Sequence, residues 1–264
     1  SRVSSVDKTL VNTMINGYFV ALVALVFTLI QPVPVAAEEL PLRFGIPTEE
    51  YPPYLVKGDD GTLGIVGDAF SEIAKMSGIR ITEVNLPRKR LRKMMAKGKL
   101  DAIFSAIEWE DDVSRYVWTN GIILVSDNIV MRADSNLRVR QTADLKGKSI
   151  VVRADYKYPS LDPLITNGEV TSHKANKFEN LLRMVERKHV DLGIIDQNVA
   201  KWIIRKEGLK FSAPLRFVSP GFDEVQYRVI LLSKKWLPQV DAFNEALAKL
   251  KHSERWQEIL NQYR

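Results

Sequence analysis

The sequence predicts an α/β protein built from two blocks, each a mostly parallel sheet flanked by helices. Short apolar runs, typical of buried parallel strands, alternate with amphipathic helical segments along the chain. The alternation occurs twice, and extended segments near 124–132 and 217–227 separate the two blocks. These two segments predict a pair of hinges between two lobes. A chain of 264 residues can bury a sizeable core, and its length alone allows one or two domains.

The N-terminal residues predict export. The apolar run Tyr18–Ile30 has the length of a signal-peptide core and is shorter than the roughly 20 residues needed to span a bilayer. Val35 and Ala37 are small residues at positions −3 and −1 of a cut before Glu38. We therefore expect residues 1–37 to be a cleavable signal peptide and the mature protein to be periplasmic. An uncleaved membrane anchor is the alternative.

Composition excludes several classes of function. The chain contains no cysteine, which excludes disulfides, a thiolate nucleophile, cysteine-based zinc sites and a lipid anchor on a cysteine. The net charge is +6, but the basic residues are spread among 32 acidic ones. This pattern favours a solvated basic surface over a nucleic-acid interface. The three histidines, at 173, 189 and 252, are isolated in sequence, so we predict no metal site and no cofactor.

In the first block, Leu42–Ile46 is predicted as a strand that ends at Pro47. Gly61 belongs to an Asp-Gly turn that favours a hairpin. Asp68 is a candidate N-cap for a helix closed by Gly78. The remaining elements of this block are predicted as strands at 79–84 and 100–105 with a helix at 88–97 between them.

The second block repeats the pattern, and the chain ends in two amphipathic helices. Strands are predicted at 148–152, 190–195 and 227–233, and helices at 178–187, 198–207, 237–251 and 253–263. We expect the last two helices to pack back onto the first lobe.

Four segments resemble a known family in their order and spacing. They are GTLGIVGDAFSEIAKMSG from residue 61, GKLDAIFSA from residue 98, HVDLGIIDQNVA from residue 189 and AFNEALAKLKHSERWQEILNQY from residue 242. Together they resemble the family 3 extracellular solute-binding proteins, the receptors of bacterial polar amino-acid ABC importers. The resemblance extends from about Leu42 to Tyr263.

The resemblance implies a two-lobed, type II periplasmic-binding-protein-like fold with two hinge segments. Lobe 1 is expected to comprise residues 38–126 and 227–264, and lobe 2 residues 127–226. The implied function is capture of a small polar ligand, an amino acid or amine-like compound, between the lobes. The implied partner is the membrane permease of an ABC importer. We expect a monomer, no enzymatic activity and no nucleic-acid partner.

The family's ligand-contacting positions map onto this chain residue by residue. Glu49, Tyr51 and Tyr54, in the loop after the first strand, resemble the family's acidic and aromatic wall. Plain loop packing is the alternative for the two tyrosines. Ser105 matches a position whose backbone and hydroxyl bond the ligand, and a satisfied serine at a strand end is the alternative.

Charged groups of the family site are only partly matched. Asp196 corresponds to the aspartate that accepts hydrogen bonds from the ligand's ammonium, although it is also a candidate helix N-cap. The family's carboxylate-binding arginine lies twelve residues after the position of Asp101, where this chain has Val113. Arg115 is the nearest replacement, and it could serve only if the loop is rebuilt. The loss of this arginine therefore weakens the expectation that the ligand is an ordinary free α-amino acid.

A second departure occurs in lobe 2, where the family's Gly-Thr-Thr loop is replaced by 154–158. Tyr156 and Tyr158 in this segment, and Trp109 in the first block, are candidates for an aromatic lining. Arg88 and Arg90 resemble a Pro-x-x-Arg variant of the family. We favour a solvated helix face for them, and the alternative is that one of them reaches the cleft.

Two alternative functions remain open at this stage. One is a receptor that reports its ligand to a separate signalling protein. The other, less favoured, is a cyclohexadienyl dehydratase-like enzyme on the same fold, with Glu108 or Glu169 as the general acid.

Overall fold

The computed structural model describes residues 40–59, 61–219 and 223–263. The predicted signal peptide lies outside the described residues. The strands are β1 Leu42–Pro47, β2 Val56–Gly58, β3 Gly61–Leu63, β4 Ile81–Leu86, β5 Ala102–Ser105, β6 Val117–Trp118, β7 Ile123–Arg132, β8 Ser149–Arg153, β9 Thr171–Ala175, β10 Leu192–Asp196, β11 Leu215–Val218 and β12 Glu224–Leu231. The α-helices are α1 Ile65–Ser77, α2 Arg88–Ala96, α3 Asp162–Thr166, α4 Phe178–Glu186, α5 Gln197–Lys206, α6 Leu237–Lys251 and α7 Glu254–Gln262.

The main sheet runs in the order β4-β1-β5-β12-β7-β10-β8-β9, with β6 beside β12 and β11 beside β7. β1 is parallel to both β4 and β5, and β8 is parallel to both β9 and β10. Each block of the sequence therefore contributes parallel strands, as predicted. We call β4, β1, β5 and β6 with their helices the first half of the sheet, and β10, β8, β9 and β11 with theirs the second half.

Two long strands connect the halves. Ile123–Ser126 of β7 is antiparallel to Glu224–Tyr227 of β12, with Ile123 opposite Tyr227. β12 then continues along β5 in the first half, and β7 continues along β10 in the second half. The chain thus passes between the halves through two strands that are hydrogen-bonded to each other. The predicted hinge segments, 124–132 and 217–227, overlap these strands.

Helix α1 begins at Ile65, three residues before the N-cap predicted at Asp68. Its N-cap is Gly64, whose φ of 98° is a left-handed conformation that favours glycine. The carbonyls of Pro53 and Tyr54 accept hydrogen bonds from the first two helical N–H groups, at 3.0 and 2.9 Å. Because loop carbonyls satisfy these donors, no capping side chain is needed. The same bonds hold the loop after β1 against the start of the helix.

The two closing helices return to the first half, as predicted. Phe243 of α6 packs against Phe70 of α1, with ring centroids 6.2 Å apart. Tyr263, just after α7, donates a hydrogen bond from Oη to Oδ2 of Asp68 at 2.9 Å. None of the described helices is long and apolar enough to cross a membrane.

Candidate ligand-binding site

A cavity of about 460 Å³ lies between the two halves, at the carboxyl ends of β1, β5, β8 and β9. Open α/β sheets generally bind ligands at this edge. The first half contributes Glu49, Tyr51, Arg88, Lys89, Arg92 and Trp109, and the second half contributes Arg153, Ala154, Asp155, Tyr156, Lys157 and Asn176. A second hollow, of about 620 Å³, is lined by residues of the first half alone and is therefore not part of this cleft.

Aromatic side chains form one wall of the cavity. The Tyr51 ring lies 5.9 Å from Tyr156 and 6.3 Å from Tyr227, measured between centroids. The Trp109 ring lies 5.7 Å from that of Tyr227. The structure therefore brings together Tyr51, Tyr156 and Trp109, three aromatic residues selected from the sequence. Such a wall offers a flat apolar surface with polar tips.

Glu49 also lines the cavity, and it has a structural role at the start of α2. Its Oε2 accepts a hydrogen bond from the backbone N–H of Arg88 at 2.9 Å. The N-cap of α2 is Pro87, which has no side chain that can cap the helix. A carboxylate at this position satisfies a free N–H group and is favoured by the helix dipole.

Two guanidinium groups approach the ring of Tyr156, one from each half. The Cζ atom of Arg88 lies 6.0 Å from the ring centroid, and that of Arg153 lies 5.6 Å from it. Arg153 is also 5.5 Å from the ring centroid of Phe178. Both distances to Tyr156 are within the usual range of a cation–π contact. The prediction that Arg88 belongs to a solvated helix face is therefore wrong, because the side chain lines the cavity.

Ser105 is fully buried behind the cavity and does not line it. Its Oγ donates to Oε1 of Glu110 at 2.6 Å. The same carboxylate accepts from Nη1 of Arg92, at 2.7 and 2.8 Å for its two oxygens. The alternative of a satisfied serine at a strand end thus describes this residue. Its hydroxyl orients an ion pair whose arginine faces the cavity.

Asp196 is buried and acts as the N-cap of α5. Its Oδ1 accepts from the backbone N–H groups of Asn198 and Val199, at 2.7 and 3.2 Å. Its Oδ2 accepts from Tyr54 Oη at 2.9 Å and from the N–H of Ser126 at 3.3 Å. Burial raises the pKa of Asp196, and the hydrogen bonds it accepts oppose that shift. Both oxygens already have partners within the protein.

Tyr54 is almost completely buried, and its hydroxyl connects it to the second half. Burial raises the pKa of this phenol, and the negative charge of Asp196 raises it further. Tyr54 Oη also accepts a hydrogen bond from Nδ2 of Asn198 at 3.1 Å. Neither Tyr54 nor Asp196 lines the cavity.

Arg115 is not brought together with the other predicted residues. It is exposed, in a 3-10 turn at Val113–Arg115, and does not line the cavity. Oδ1 of Asp112 accepts from the N–H of Ser114 and sets the turn. The Arg115 guanidinium points to the last carbonyl of α2, that of Ala96, at 3.4 Å. The loop is therefore not rebuilt to replace the family arginine.

Most of the charged lining was not predicted from the sequence. The residues not predicted are Lys89, Arg92, Arg153, Asp155, Lys157 and Asn176. The four-residue spacing of Arg88 and Arg92 was a usable signal, because it places both on one face of a helix. Arg153 is the last residue of a parallel strand, where ligand-binding groups are common. Tyr158, in contrast, is buried in the second half, where its Oη accepts from the N–H of Arg153 at 3.0 Å.

The two candidate general acids lie outside the cavity. Glu108 is exposed. Glu169 forms an ion pair with Lys146 at 2.5 Å, and the hydrogen bond from this lysine lowers the pKa of the carboxyl. A lowered pKa disfavours proton donation at neutral pH. Across the described residues, no group of three His, Cys, Asp or Glu side chains could hold a metal ion.

A cavity between two α/β halves joined by paired crossing strands is the architecture of a solute-binding protein. Residues 42–264 match the model of the bacterial extracellular solute-binding proteins, family 3, and the chain belongs to this family. It is 28% identical over 151 residues to a probable histidine-binding protein of Campylobacter jejuni. That match covers 57% of this chain and 58% of the relative's length.

Solved structures show the same fold at low sequence identity. An ancestral arginine-binding protein bound to arginine has a TM-score of 0.64 at 19% identity, over 84% of this chain and 97% of that one. A histidine kinase sensor domain with similarity to periplasmic binding proteins has a TM-score of 0.67 at 18% identity, over 84% and 95%. The predicted family and the two-lobed fold are thereby confirmed.

Proposed function

We propose that the protein is a periplasmic receptor that closes over a small ligand and presents it to the membrane permease of an ABC importer. The observation that carries the proposal is the cavity of about 460 Å³ lined by side chains from both halves. A ligand there contacts both halves only when they are together, so its binding favours the closed state. Membership of the solute-binding family supports the same role.

We further propose that the lobes are residues 38–126 with 227–264 and residues 127–226. The pairing of β7 with β12 supports this division, because both strands change from one half of the sheet to the other near Ser126 and Tyr227. The receptor is proposed to act as a monomer, with its entire binding site within one chain.

Contacts across the cleft already hold the halves together. Tyr54 bonds to Asp196, and Lys157 in the second half forms an ion pair with Asp111 in the first half at 2.6 Å. We expect these contacts to stabilise the closed state further when a ligand is bound. The exposed pair at Lys157 contributes little by itself, because water and salt screen it.

Two measurements test the receptor function. Isothermal titration against amino acids, organic acids and amines measures binding, and small-angle X-ray scattering measures the radius of gyration with and without the bound compound. We expect at least one compound to bind and to reduce the radius of gyration. Absence of binding across the whole panel, with no copurifying small molecule in native mass spectrometry, would contradict the proposal.

A further inference from the structure

We propose that the ligand is a carboxylic acid with a flat apolar body, held by Arg88 and Arg153 from opposite sides of the cleft, and that it needs no ammonium group. This inference rests on the proposed receptor function and specifies its ligand class.

The cavity lining carries more positive than negative groups. Five of the lining residues are Arg or Lys, and two are Asp or Glu. Two of the cations are matched by carboxylates, Arg92 by Glu110 and Lys157 by Asp111. Arg88 and Arg153, by contrast, form no ion pair within the described parts of the chain. A ligand carboxylate would provide the missing negative charge.

The guanidinium group of Arg153 is incompletely hydrogen-bonded in the described structure. Its Nε is buried and has no hydrogen-bond partner in the described structure. Its Nη1 reaches two carbonyl oxygens, those of Ala154 and Ala175, only at 3.4 Å. A buried N–H group without an acceptor is costly, and this cost is removed when an acceptor binds. A carboxylate fits best because its two oxygens match the fork of a guanidinium.

The ring of Tyr156 brings the guanidinium groups of Arg88 and Arg153 to one place in the cavity. This ring is the shared neighbour of both guanidinium groups, which come from opposite halves at 6.0 and 5.6 Å. A single carboxylate beside this ring can accept from both, and it then links the halves. Tyr51 and Trp109 continue the aromatic surface, which favours a flat apolar body on the rest of the ligand.

Asp196, which matches the family's ammonium-binding aspartate, is hydrogen-bonded within the protein. Asp196 would have to accept hydrogen bonds from the ligand, yet its oxygens bond to Tyr54, Ser126 and the start of α5. Asp196 is also absent from the cavity lining. The cavity itself is lined by five Arg or Lys residues and by two carboxylates, Glu49 and Asp155, so its net positive charge disfavours an ammonium group.

Three compounds with nearly the same body test this inference by isothermal titration. They are 3-phenylpropanoate, which carries only the carboxylate, phenylalanine, which carries both groups, and phenethylamine, which carries only the ammonium. We expect 3-phenylpropanoate to bind at least tenfold more tightly than phenylalanine, and phenethylamine not to bind. Succinate, arginine and histidine complete the panel, and we expect each to bind more weakly than 3-phenylpropanoate.

Variants connect the result to the two arginines. We expect R88Q and R153Q each to weaken 3-phenylpropanoate binding about tenfold or more, because each removes a charge-assisted contact. R90Q is the matched control, since Arg90 is exposed on the same helix as Arg88. Circular dichroism melting curves establish that each variant is folded.

The outcomes separate the two proposals. If arginine, histidine or phenylalanine binds most tightly, or if R88Q and R153Q bind 3-phenylpropanoate as the wild type does, the inference is overturned and the receptor function stands. Tighter binding of succinate than of 3-phenylpropanoate overturns the inference that the ligand has a flat apolar body. If no compound in either panel binds, the receptor function fails and the inference fails with it.

Discussion

Tyr54 Oη donates a hydrogen bond to Asp196 Oδ2 at 2.9 Å, and this bond joins residues 142 positions apart in sequence. Tyr54 lies in the loop after β1 and Asp196 at the end of β10, so the bond crosses from the first half to the second. Both side chains are buried, which protects the bond from competition with water.

We expect Y54F to weaken this connection. The variant removes the phenolic donor, and among the described residues Oδ2 of Asp196 then keeps the Ser126 N–H as its donor. The free energy of unfolding should fall by about 1–2 kcal/mol in urea titrations. The radius of gyration of the ligand-free protein should increase, because a bond that holds the halves together is lost.

Y263F is the matched control for this variant. It also removes a hydrogen bond between a tyrosine and an aspartate, but Tyr263 and Asp68 both belong to the first half. We expect a comparable loss of stability with no change in the radius of gyration. An equal radius of gyration for Y54F and the wild type would contradict a bridging role of Tyr54.

Asp101, the aspartate of the Gly-x-x-Asp segment, forms a bidentate ion pair with Arg43. Oδ2 accepts from Nε at 2.8 Å and Oδ1 from Nη2 at 3.0 Å. D101N should lower the free energy of unfolding by about 2 kcal/mol, because the charge-assisted hydrogen bonds from Arg43 to the buried carboxylate are lost. D191N is the control, since Asp191 is exposed and accepts from the Ser149 N–H, and its loss should be smaller.

The same pair has a predictable dependence on pH. Burial alone would raise the pKa of Asp101, but the hydrogen bonds from Arg43 outweigh it, so the pKa lies below its usual value of 3.8. The stabilisation is therefore present above pH 3.8 and is lost as the pH falls through the lower folded-state pKa. The stability difference between wild type and D101N should shrink in that acid range. If the stability difference between wild type and D101N stays constant down to the acid transition, the pKa of Asp101 is not lowered by Arg43 in the folded state.

Asp127 has the opposite behaviour. Burial, with the nearby charges of Asp223 and Asp196, raises the pKa of Asp127 well above 3.8. The folded state then favours the protonated form, so the contribution of Asp127 to stability is most favourable below pH 3.8 and is lost as the pH rises through the folded-state pKa. D127N should be more stable than the wild type at pH 7.5, and this advantage should decrease as the pH is lowered.

Urea unfolding at pH 5.0, 6.0 and 7.5 measures the advantage of D127N over the wild type. D241N provides the control, because Asp241 is exposed on α6. An advantage of D127N that does not change with pH would show that the Asp127 carboxyl does not titrate in this range.

Glu110 limits the positive charge of the cavity, because it neutralises Arg92. E110Q should free the Arg92 charge and tighten binding of 3-phenylpropanoate about fivefold at low salt. E108Q is the control, since Glu108 is exposed in the same loop. Unchanged or weaker binding by E110Q would show that the positive charge of Arg92 does not strengthen ligand binding.

Local elements of the fold were predictable because their signals are local. The hydrophobic period gave the bounds of α6 as observed, and the glycine after α1 ends that helix in a left-handed conformation, as expected. The second strand of the first half is displaced, from a predicted 79–84 to 81–86. Its pairing with β1 over six positions fixes the observed register, and this contact is not visible in the sequence of β4 alone.

The candidate site was predicted less well for a physical reason. Its aromatic members, Tyr51 and Tyr156, could be selected from the resemblance and do line the cavity. The charged members depend on which way a side chain points from a helix or loop. Arg88 faces the cavity and Arg115 faces the end of α2, although both are arginines next to predicted cleft segments. Tertiary contacts decide between such orientations.

The crossing strands have a consequence for engineering. β8, β9, β10 and β11 all lie between β7 and β12 along the chain, while β1 and α7, at the two ends of the described chain, belong to the first half. The second half is therefore a single continuous insertion, attached at two neighbouring points. It could be exchanged as one cassette between relatives of the same fold. Such a chimera would inherit Arg153 and Tyr156 from one parent and Arg88 from the other, so its selectivity would report the contribution of each side separately.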